Sequence, residues 1–337
     1  MKTLTKLAMP LVALSMGLMA SDVWSQQIRL TYSSPYSTTH PYGAADAAWI
    51  ERIQEQSEGR VAITAYWGGA LISSREGVDE LAAGIADMAY ITPIYARAGF
   101  ELTRFTPAFF YGYSDPEQVL EVYLELWDAY PRFAEELQGV KALGFNVGTP
   151  MHLQLRNRPV HQVSDLRGLR IRSANDYIGA LTQFGAEGVA MPMGDTYPAL
   201  QRGVLDGVIA PYEALRSLSF GEVVQYYVDL PHSRGAYPSR AINQRVWDSL
   251  PEDIQQIFLD NIDWLTAENL RNSQASEDAG RAFGEAEGVT FIEVSDEVKA
   301  EYATAFVTSA RAVAEDLDSR GLPGTEILEF VRQAYED

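Results

Sequence analysis

The sequence contains no cysteine and only four histidines among its 337 residues. Without cysteine the chain has no disulfide bond, no thiolate metal site and no cysteine nucleophile. No His-x-x-x-His, His-Glu-x-x-His, Gly-x-Ser-x-Gly, P-loop or dinucleotide-binding motif is present. These absences argue against catalysis, and we expect no cofactor and no metal. The four histidines are His40, His152, His161 and His232.

Basic residues are scarce as well. Lys and Arg total 26 against 46 Asp and Glu, which gives a formal net charge of −20. A charge of this size repels nucleic acid and anionic membranes, so neither is expected as a partner. It repels anionic ligands too, and a site for such a ligand would need a local positive group.

Long apolar runs are confined to the N-terminus. A basic start at Met1–Lys6 precedes the apolar stretch Leu7–Ala20, which has signal-peptide length and is short for a membrane span. Small residues precede a cut after Ser25, and cleavage after Ala20 is the alternative. We therefore expect residues 1–25 to be a signal peptide and the remaining chain to be exported to the periplasm.

The rest of the composition is that of a globular protein, with 47% hydrophobic and 21% charged residues. Around the middle of the chain, strands are predicted at Leu169–Arg172, Glu187–Ala190 and Gly207–Ala210. A helix is predicted between each pair of strands, with Asn175 as the N-cap of the first helix and Asp195 as the N-cap of the second. This order is typical of a parallel α/β unit, whose ligands bind beyond the carboxyl ends of the strands. Arg172 lies at such an end.

A second unit of the same kind is predicted in the first third of the chain. Its strands are Ile28–Ser33, Val61–Trp67 and Gly84–Thr92. The run Gly84–Asp87 has the form Gly-x-x-Asp before a strand, as does Gly203–Asp206. The two runs indicate a weak internal symmetry.

Two motifs in the middle unit resemble those of a known family. Asp-Leu-Arg-Gly-Leu-Arg-Ile-Arg ends at Arg172, and Tyr-Pro-Ala-Leu-Gln-Arg-Gly-Val-Leu-Asp-Gly ends at Gly207. Together and in this spacing they resemble the DctP-type solute-binding proteins of TRAP (tripartite ATP-independent periplasmic) transporters. The resemblance extends over essentially the whole mature chain.

The resemblance implies a two-lobed α/β periplasmic binding protein fold. Each lobe would be a mostly parallel sheet flanked by helices, with a hinge between the lobes and a long lobe-spanning helix from Pro251. The first lobe would comprise residues 26–149 and 237–280, and the second residues 150–236 and 281–337. We expect crossings near Gly148–Pro150 and Ser233–Tyr237, and a third within or after the long helix.

The resemblance also implies a binding residue. The last arginine of the first motif, Arg172, would pair with the carboxylate of the solute, for which a planar guanidinium is suited because it donates two parallel hydrogen bonds. By residue type alone, a surface strand arginine paired with a carboxylate is the favoured interpretation of Arg172, and its place in the motif at a strand end reverses that preference. Asn175 and Met193 match solute-contacting positions, although a helix cap and a core residue are the plain alternatives.

Two positions depart from the family pattern. His152 falls where binders of acid sugars carry another arginine, and Ala210 falls where many members carry asparagine. Both departures remove polar contacts and count against a sialic-acid-like ligand. Tyr212 could add an aromatic wall beside Ala210. Across the cleft we expect side chains of the first lobe to face Arg172, namely Trp67, Ser74, Tyr90, Thr92 and Tyr237.

The function implied is that of a solute receptor. It would bind a small monocarboxylate or dicarboxylate in the cleft and deliver it, as a monomer, to the small and large membrane subunits of a TRAP transporter. A sulfonate or a small amine-bearing solute stays open as an alternative. An enzyme is the other class considered, and no motif supports one.

Overall fold

The computed structural model describes residues 27–110, 115–174 and 177–336. The predicted signal peptide, residues 1–25, lies outside the described residues. None of the helices in these ranges combines the length and the apolar sequence that a membrane span requires.

The described chain alternates strands with helices. The strands are β1 (Ile28–Ser33), β2 (Val61–Tyr66), β3 (Met88–Tyr90), β4 (Val140–Asn146), β5 (Met151–Leu155), β6 (Arg170–Ser173), β7 (Glu187–Ala190), β8 (Gly207–Ala210), β9 (Tyr226–His232), β10 (Tyr237–Asn243) and β11 (Thr290–Ile292). The helices are α1 (Pro41–Gln56), α2 (Gly77–Ala83), α3 (Pro116–Ala129), α4 (Arg132–Glu135), α5 (Ile178–Gln183), α6 (Thr196–Gln201), α7 (Glu213–Ser217), α8 (Gln244–Ser249), α9 (Glu252–Leu259), α10 (Ile262–Ala286), α11 (Asp296–Ser319) and α12 (Gly324–Glu336).

The strands form two sheets. The first has the order β2-β1-β3-β10-β4, and the second has the order β11-β9-β5-β8-β6-β7. We call the first sheet with the helices on its faces the first lobe, and the second sheet with its helices the second lobe. The predicted two-lobed α/β fold is therefore confirmed.

Each sheet is mixed, because one strand runs against its neighbours. In the first sheet β10 is antiparallel to β3 and β4, and in the second β5 is antiparallel to β8 and β9. The remaining pairs are parallel. The reversed strands are the two that follow a passage between sheets, from β4 to β5 and from β9 to β10. The chain passes to the second sheet along β4 and β5 and returns along β9 and β10, and because β4 pairs with β10 and β5 with β9, the members of each pair run in opposite directions.

The internal symmetry predicted from the two Gly-x-x-Asp runs has a structural counterpart. Asp87 accepts a hydrogen bond from the backbone N–H of Thr31 in β1 at 2.7 Å. Asp206 accepts one from the backbone N–H of Arg170 in β6 at 2.9 Å. Each aspartate therefore ties the strand that follows it to the first strand of the same unit.

The predicted long helix is divided in two. It ends at Leu259 and begins again at Ile262, so the part that contacts both lobes is α10 and not a helix from Pro251. Asn261 explains the break, since its side chain donates to the carbonyl of Ile257 at 2.7 Å in place of a backbone N–H. Gly280 lets α10 approach α7, because a Cβ there would lie 2.2 Å from the carbonyl oxygen of Tyr212.

Helix α10 packs on α1 and β4 of the first lobe and on α7 of the second. The C-terminal helices also connect the lobes. Helix α11 contacts α5 and β9 of the second lobe, whereas α12 packs on α3. Ile327 and Val331 of α12 share a core cluster with Val119 and Tyr123 of α3. The predicted division of the sequence at residues 149, 236 and 280 stays a prediction.

A fully buried ion pair joins three elements of the first lobe. Arg240 of β10 donates to Asp46 of α1 at 2.7 Å and to Asn269 of α10 at 2.9 Å. Asn269 donates in turn to Asn146 of β4 at 3.1 Å, and Asn146 donates to the hydroxyl of Tyr237 at 3.0 Å. This chain of hydrogen bonds fixes the long helix and the side chain of Tyr237 to one sheet.

We expect Asp46→Ala to destabilise the fold by about 3–5 kcal/mol, because it leaves the guanidinium of Arg240 buried without its counter-charge. Urea unfolding measures the loss. Arg332→Ala is the control: it removes an arginine whose partners, Glu329 and Glu336, lie on the surface of α12, and it should cost less than about 1 kcal/mol. A loss at Asp46 as small as that of the control would contradict the prediction.

Candidate solute-binding site

A cleft separates the two lobes. Its volume is about 650 Å³. Residues of the first lobe line one side and residues of the second lobe line the other; they include Tyr36, His40, Ser74, Arg75 and Tyr95 on the first side and Met193, Asp195, Ser217 and Leu218 on the second. We call this space the outer cleft.

A smaller space continues from the outer cleft, and Tyr95 and Met193 line both. We call it the inner cavity. Its walls are mainly apolar and aromatic with two arginines, and its lining residues are Ile94, Tyr95, Thr106, Met151, Arg172, Ser173, Ala174, Tyr177, Met193, Ile209, Arg234, Gly235 and Tyr237. None of these described residues is acidic. The cavity volume is about 40 Å³, which is room for a few water molecules at most.

The structure places Arg172 in the wall of the inner cavity, at the carboxyl end of β6 and only 3% exposed. Its Nε donates to the carbonyl of Met191 at 2.9 Å, and its Nη2 donates to the hydroxyl of Tyr95 at 2.8 Å. The ring of Tyr95 also lies under the guanidinium, and 5.4 Å separate the Cζ atom of Arg172 from the centre of that ring. Because Tyr95 belongs to the first lobe, this contact joins the lobes. A guanidinium has five N–H groups, so the side chain retains donors for a solute.

Two further predicted residues line the inner cavity. Met193 lies half-buried where the cavity meets the outer cleft. Tyr237 lies at the start of β10, and burial raises the pKa of its hydroxyl to about 12. The phenol is therefore neutral at physiological pH. Asn175 belongs to the positions outside the described residues.

The predicted residues of the first lobe lie at different depths. Ser74 lines the outer cleft, and its carbonyl accepts a hydrogen bond from the buried hydroxyl of Thr92 at 2.5 Å. Trp67 packs edge-on against Tyr32, within the core of the first lobe. Tyr90 is buried beneath the guanidinium of Arg240, and 4.4 Å separate the Cζ atom of Arg240 from the centre of the Tyr90 ring. Thr92, Trp67 and Tyr90 line neither the inner cavity nor the outer cleft.

The structure does not bring the other three predicted residues to the inner cavity. Met151 of β5 and Ile209 of β8 line the inner cavity. Successive side chains of a strand point to opposite faces of the sheet. Their neighbours His152 and Ala210 therefore face away from the cavity. His152 pairs with Asp229 at 3.2 Å. Tyr212 stacks on Tyr227 with ring centres 4.0 Å apart, on the same far face as His152. His152 and Tyr212 therefore make contacts within the second lobe in this structure.

The sequence reasoning missed Arg234, the second arginine of the inner cavity. It lies in the connection from β9 to β10, between His232 and Tyr237. Arg234 lies inside the predicted crossing Ser233–Tyr237. Because a crossing between lobes borders the cleft, this position could have identified Arg234 as a cavity residue. Tyr95 was missed because it follows the strand β3 in a short 3-10 turn instead of ending a strand.

Two contacts besides that of Arg172 join the lobes across the outer cleft. Arg75 donates from Nη2 to the carbonyl of Ala190 at 3.1 Å. His40 lies 4.0 Å from the carboxyl of Glu213, measured from Nε2 to Oε1. The Nδ1 atom of His40 accepts a hydrogen bond from the backbone N–H of Tyr42, so the neutral ring carries its proton on Nε2. Burial and then the cations Arg234 and Arg240 lower the pKa of His40 to about 3.

A sequence profile described as "Bacterial extracellular solute-binding protein, family 7", the DctP family, matches residues 32–316. The chain belongs to this family. The resemblance predicted from the two motifs is therefore confirmed. A solute-binding protein binds and releases its ligand unchanged, so membership also confirms that this DctP-family chain is not an enzyme.

Individual relatives of this DctP-family protein are distant but similar in length. A solute-binding protein of Roseobacter denitrificans is 24% identical over 288 residues, which are 82% of this chain and 85% of that protein. The C4-dicarboxylate-binding periplasmic protein DctP of Rhodobacter capsulatus is 24% identical over 286 residues, 80% of this chain and 83% of that one. A similar fold is seen in the crystal structure of a TRAP solute-binding protein from Rhodoferax ferrireducens in complex with copurified benzoate. The TM-score is 0.81 at 21% sequence identity, and the match covers 91% of this chain and 97% of that one.

Glu213 of the receptor is a buried acidic group at the contact between the lobes. Burial raises its pKa to about 7. Four groups face it: His40 in front of α1, Ser217 on its own helix, Glu277 on α10 and Arg234 in the connection from β9 to β10. The hydrogen bond from Ser217 and the Arg234 cation lower its pKa, whereas Glu277 raises it.

We expect Glu213 to make the receptor less stable as the pH rises. Its folded pKa lies above the ordinary value of 4.5, so the folded state holds the proton more tightly than the unfolded state. The stability that protonated Glu213 contributes is present below pH 4.5 and is lost as the pH rises to about 7. Relative to Glu213→Gln, the wild type should lose a few kcal/mol over this window, since one pKa unit corresponds to about 1.4 kcal/mol.

Urea unfolding at a series of pH values measures this difference. Glu287→Gln, at an exposed position, controls for the loss of one negative charge. If the stability of the wild type and of Glu213→Gln changed in parallel from pH 4.5 to 7, the carboxyl of Glu213 would not be the titrating group.

Proposed function

We propose that this protein is the extracytoplasmic receptor of a TRAP transporter and that it captures a small organic acid, whose carboxylate contacts Arg172. One observation carries the proposal. The guanidinium of Arg172 is buried in a cavity between the lobes, and no carboxylate of the described residues forms an ion pair with it. A buried cation without a counter-charge is costly, and an anionic solute would provide that charge.

The neighbouring groups support a carboxylate in particular. Met191 and Tyr95 hold the guanidinium in one orientation, and two parallel hydrogen bonds from its free edge match the two oxygens of a carboxylate. The apolar and aromatic walls suit the hydrocarbon part of a small acid. Relatives are described as binding a C4-dicarboxylate, and a similar structure contains benzoate.

Binding requires the lobes to separate and close again. The inner cavity holds only about 40 Å³ in this structure, which is too little for an acid of the size of benzoate. An open form therefore admits the solute, and the solute favours a closed form by the contacts that both lobes make with it. The contacts from Arg172 to Tyr95 and from Arg75 to Ala190 belong to the closed form.

The closed receptor then delivers the solute to the membrane. It acts as a monomer in the periplasm after removal of residues 1–25, and it docks on the small and large membrane subunits of the transporter. An ion gradient across those subunits supplies the energy. A sulfonate is the second candidate solute, since Arg172 would bind its oxygens in the same way. Two arginines in the cavity wall disfavour an amine.

A thermal-shift screen tests the solute class. The panel contains benzoate, mandelate, pyruvate, succinate, benzenesulfonate and ethanolamine. A ligand that binds the folded state raises the melting temperature with its concentration. We expect shifts with carboxylates and none with ethanolamine; a shift with ethanolamine alone would contradict an anion site.

We expect Arg172→Ala to reduce the affinity for a bound acid by about thirty-fold to several-thousand-fold, because removing one partner of a buried charge pair costs about 2–5 kcal/mol. Arg172→Lys should recover part of the loss, since it keeps the charge without the planar fork. Calorimetry on both variants gives the affinities, and urea unfolding shows that they remain folded. Unchanged affinity in Arg172→Ala would rule out the carboxylate contact.

A further inference from the structure

The inner cavity contains a second guanidinium that the Arg172 contact does not use. Arg234 lines the cavity from the connection between β9 and β10, one of the two segments by which the chain passes between the lobes. Its Nη1 donates to the hydroxyl of Tyr42 at 3.3 Å. Like Arg172, it forms no ion pair with a carboxylate of the described residues.

The other connection between the lobes is shaped around this side chain. Gly148 lies between β4 and β5, and a Cβ at this position would come 2.5 Å from Nη1 of Arg234 and 2.9 Å from the hydroxyl of Tyr42. The absence of a side chain at Gly148 therefore leaves the space in which the guanidinium lies. Arg234 thus occupies a built position where both connections meet the cavity.

The charges around Arg234 are incompletely balanced. Among the described acidic groups, Glu213 is affected by this cation, which lowers the pKa of Glu213. Burial nevertheless keeps that pKa near 7, so Glu213 carries only part of a negative charge at neutral pH. Arg172 and Arg234 therefore present two positive charges to one small cavity.

We propose that Arg234 is a second solute-binding residue, which contacts an acidic group of the solute together with Arg172. The inference rests on the proposed function as an organic-acid receptor and extends it to a residue that no family motif in this sequence marks. Because Arg234 is part of a connection between the lobes, its contact with the solute acts directly on a segment that must bend when the lobes close. Arg234 then determines both the charge that the site accepts and the coupling of binding to closure.

A purely structural role is the alternative. In that case Arg234 would serve to hold Tyr42 and the two connections in place, and its removal would destabilise the protein without solute. In a binding role, removal leaves one positive charge in the cavity in place of two and takes away a long hydrogen bond to Tyr42, so the melting temperature without solute changes little. The melting temperature without solute therefore distinguishes the two roles.

The experiment compares wild type with Arg234→Gln, Arg234→Met, Arg172→Gln and the control Arg202→Gln, which removes an arginine from the exposed end of α6. Melting temperatures are measured without solute. Calorimetry then gives the affinities for benzoate, mandelate, pyruvate and succinate. For each acid that binds the wild type, we expect Arg234→Gln and Arg234→Met to lower the affinity by about thirty-fold or more, and the control to leave it unchanged. We expect the melting temperatures of both Arg234 variants to match that of the control.

The outcomes separate this inference from the proposed function. If Arg172→Gln abolishes binding while both Arg234 variants bind as the control does, the inference is overturned and the receptor proposal stands. If both Arg234 variants melt well below the control without solute, or fail to fold, the role is structural and the inference is overturned. If none of the four acids binds the wild type, the proposed organic-acid function fails, and the inference fails with it.

Discussion

The short connections between the two sheets constrain the rest of this structure. The chain leaves the first sheet after β4 and returns after β9, and each time only a few residues separate the strands. The outgoing strands β4 and β5 pair with the returning strands β10 and β9, and β5 and β10 are the strands that run against their neighbours. Gly148 and Arg234, one in each connection, lie in close contact, and Arg234 lines the inner cavity.

Buried arginines have two different environments in this protein. Arg240 is neutralised by Asp46 and held by Asn269, and it stabilises the junction of α1, β10 and α10. Arg172 and Arg234 are held by carbonyl or hydroxyl oxygens, which accept hydrogen bonds without supplying a full negative charge. The first arrangement is complete within the chain. We propose that the second is completed by an anion from outside, and this difference would separate a structural charge from a binding one.

The strands at the edges of the cavity illustrate what local pattern can and cannot predict. β7 and β8 have the predicted bounds, because short runs with small or branched residues after a Gly or a turn are distinctive. β5 was not predicted, and without it nothing indicated which of two neighbouring residues faces the cavity. His152 and Ala210 were selected because they match positions of the family pattern, whereas Met151 and Ile209, their neighbours on β5 and β8, line the cavity. Tyr212, Trp67 and Tyr90 are aromatic residues near strand ends, and proximity in sequence does not distinguish a cavity wall from the core behind it.

By itself the sequence determined the family, the two α/β units, the segments of the two crossings and the position of Arg172 at the carboxyl end of a strand. Each of these depends on neighbouring residues or on a motif of fixed spacing. Tertiary structure decided which side chains meet in the cavity. Tyr95 and Arg172 lie far in the sequence from Arg234 and Tyr237, and the strand order of the two sheets brings all four to one cavity. Long-range convergence of this kind depends on strand order and direction, which local patterns do not encode.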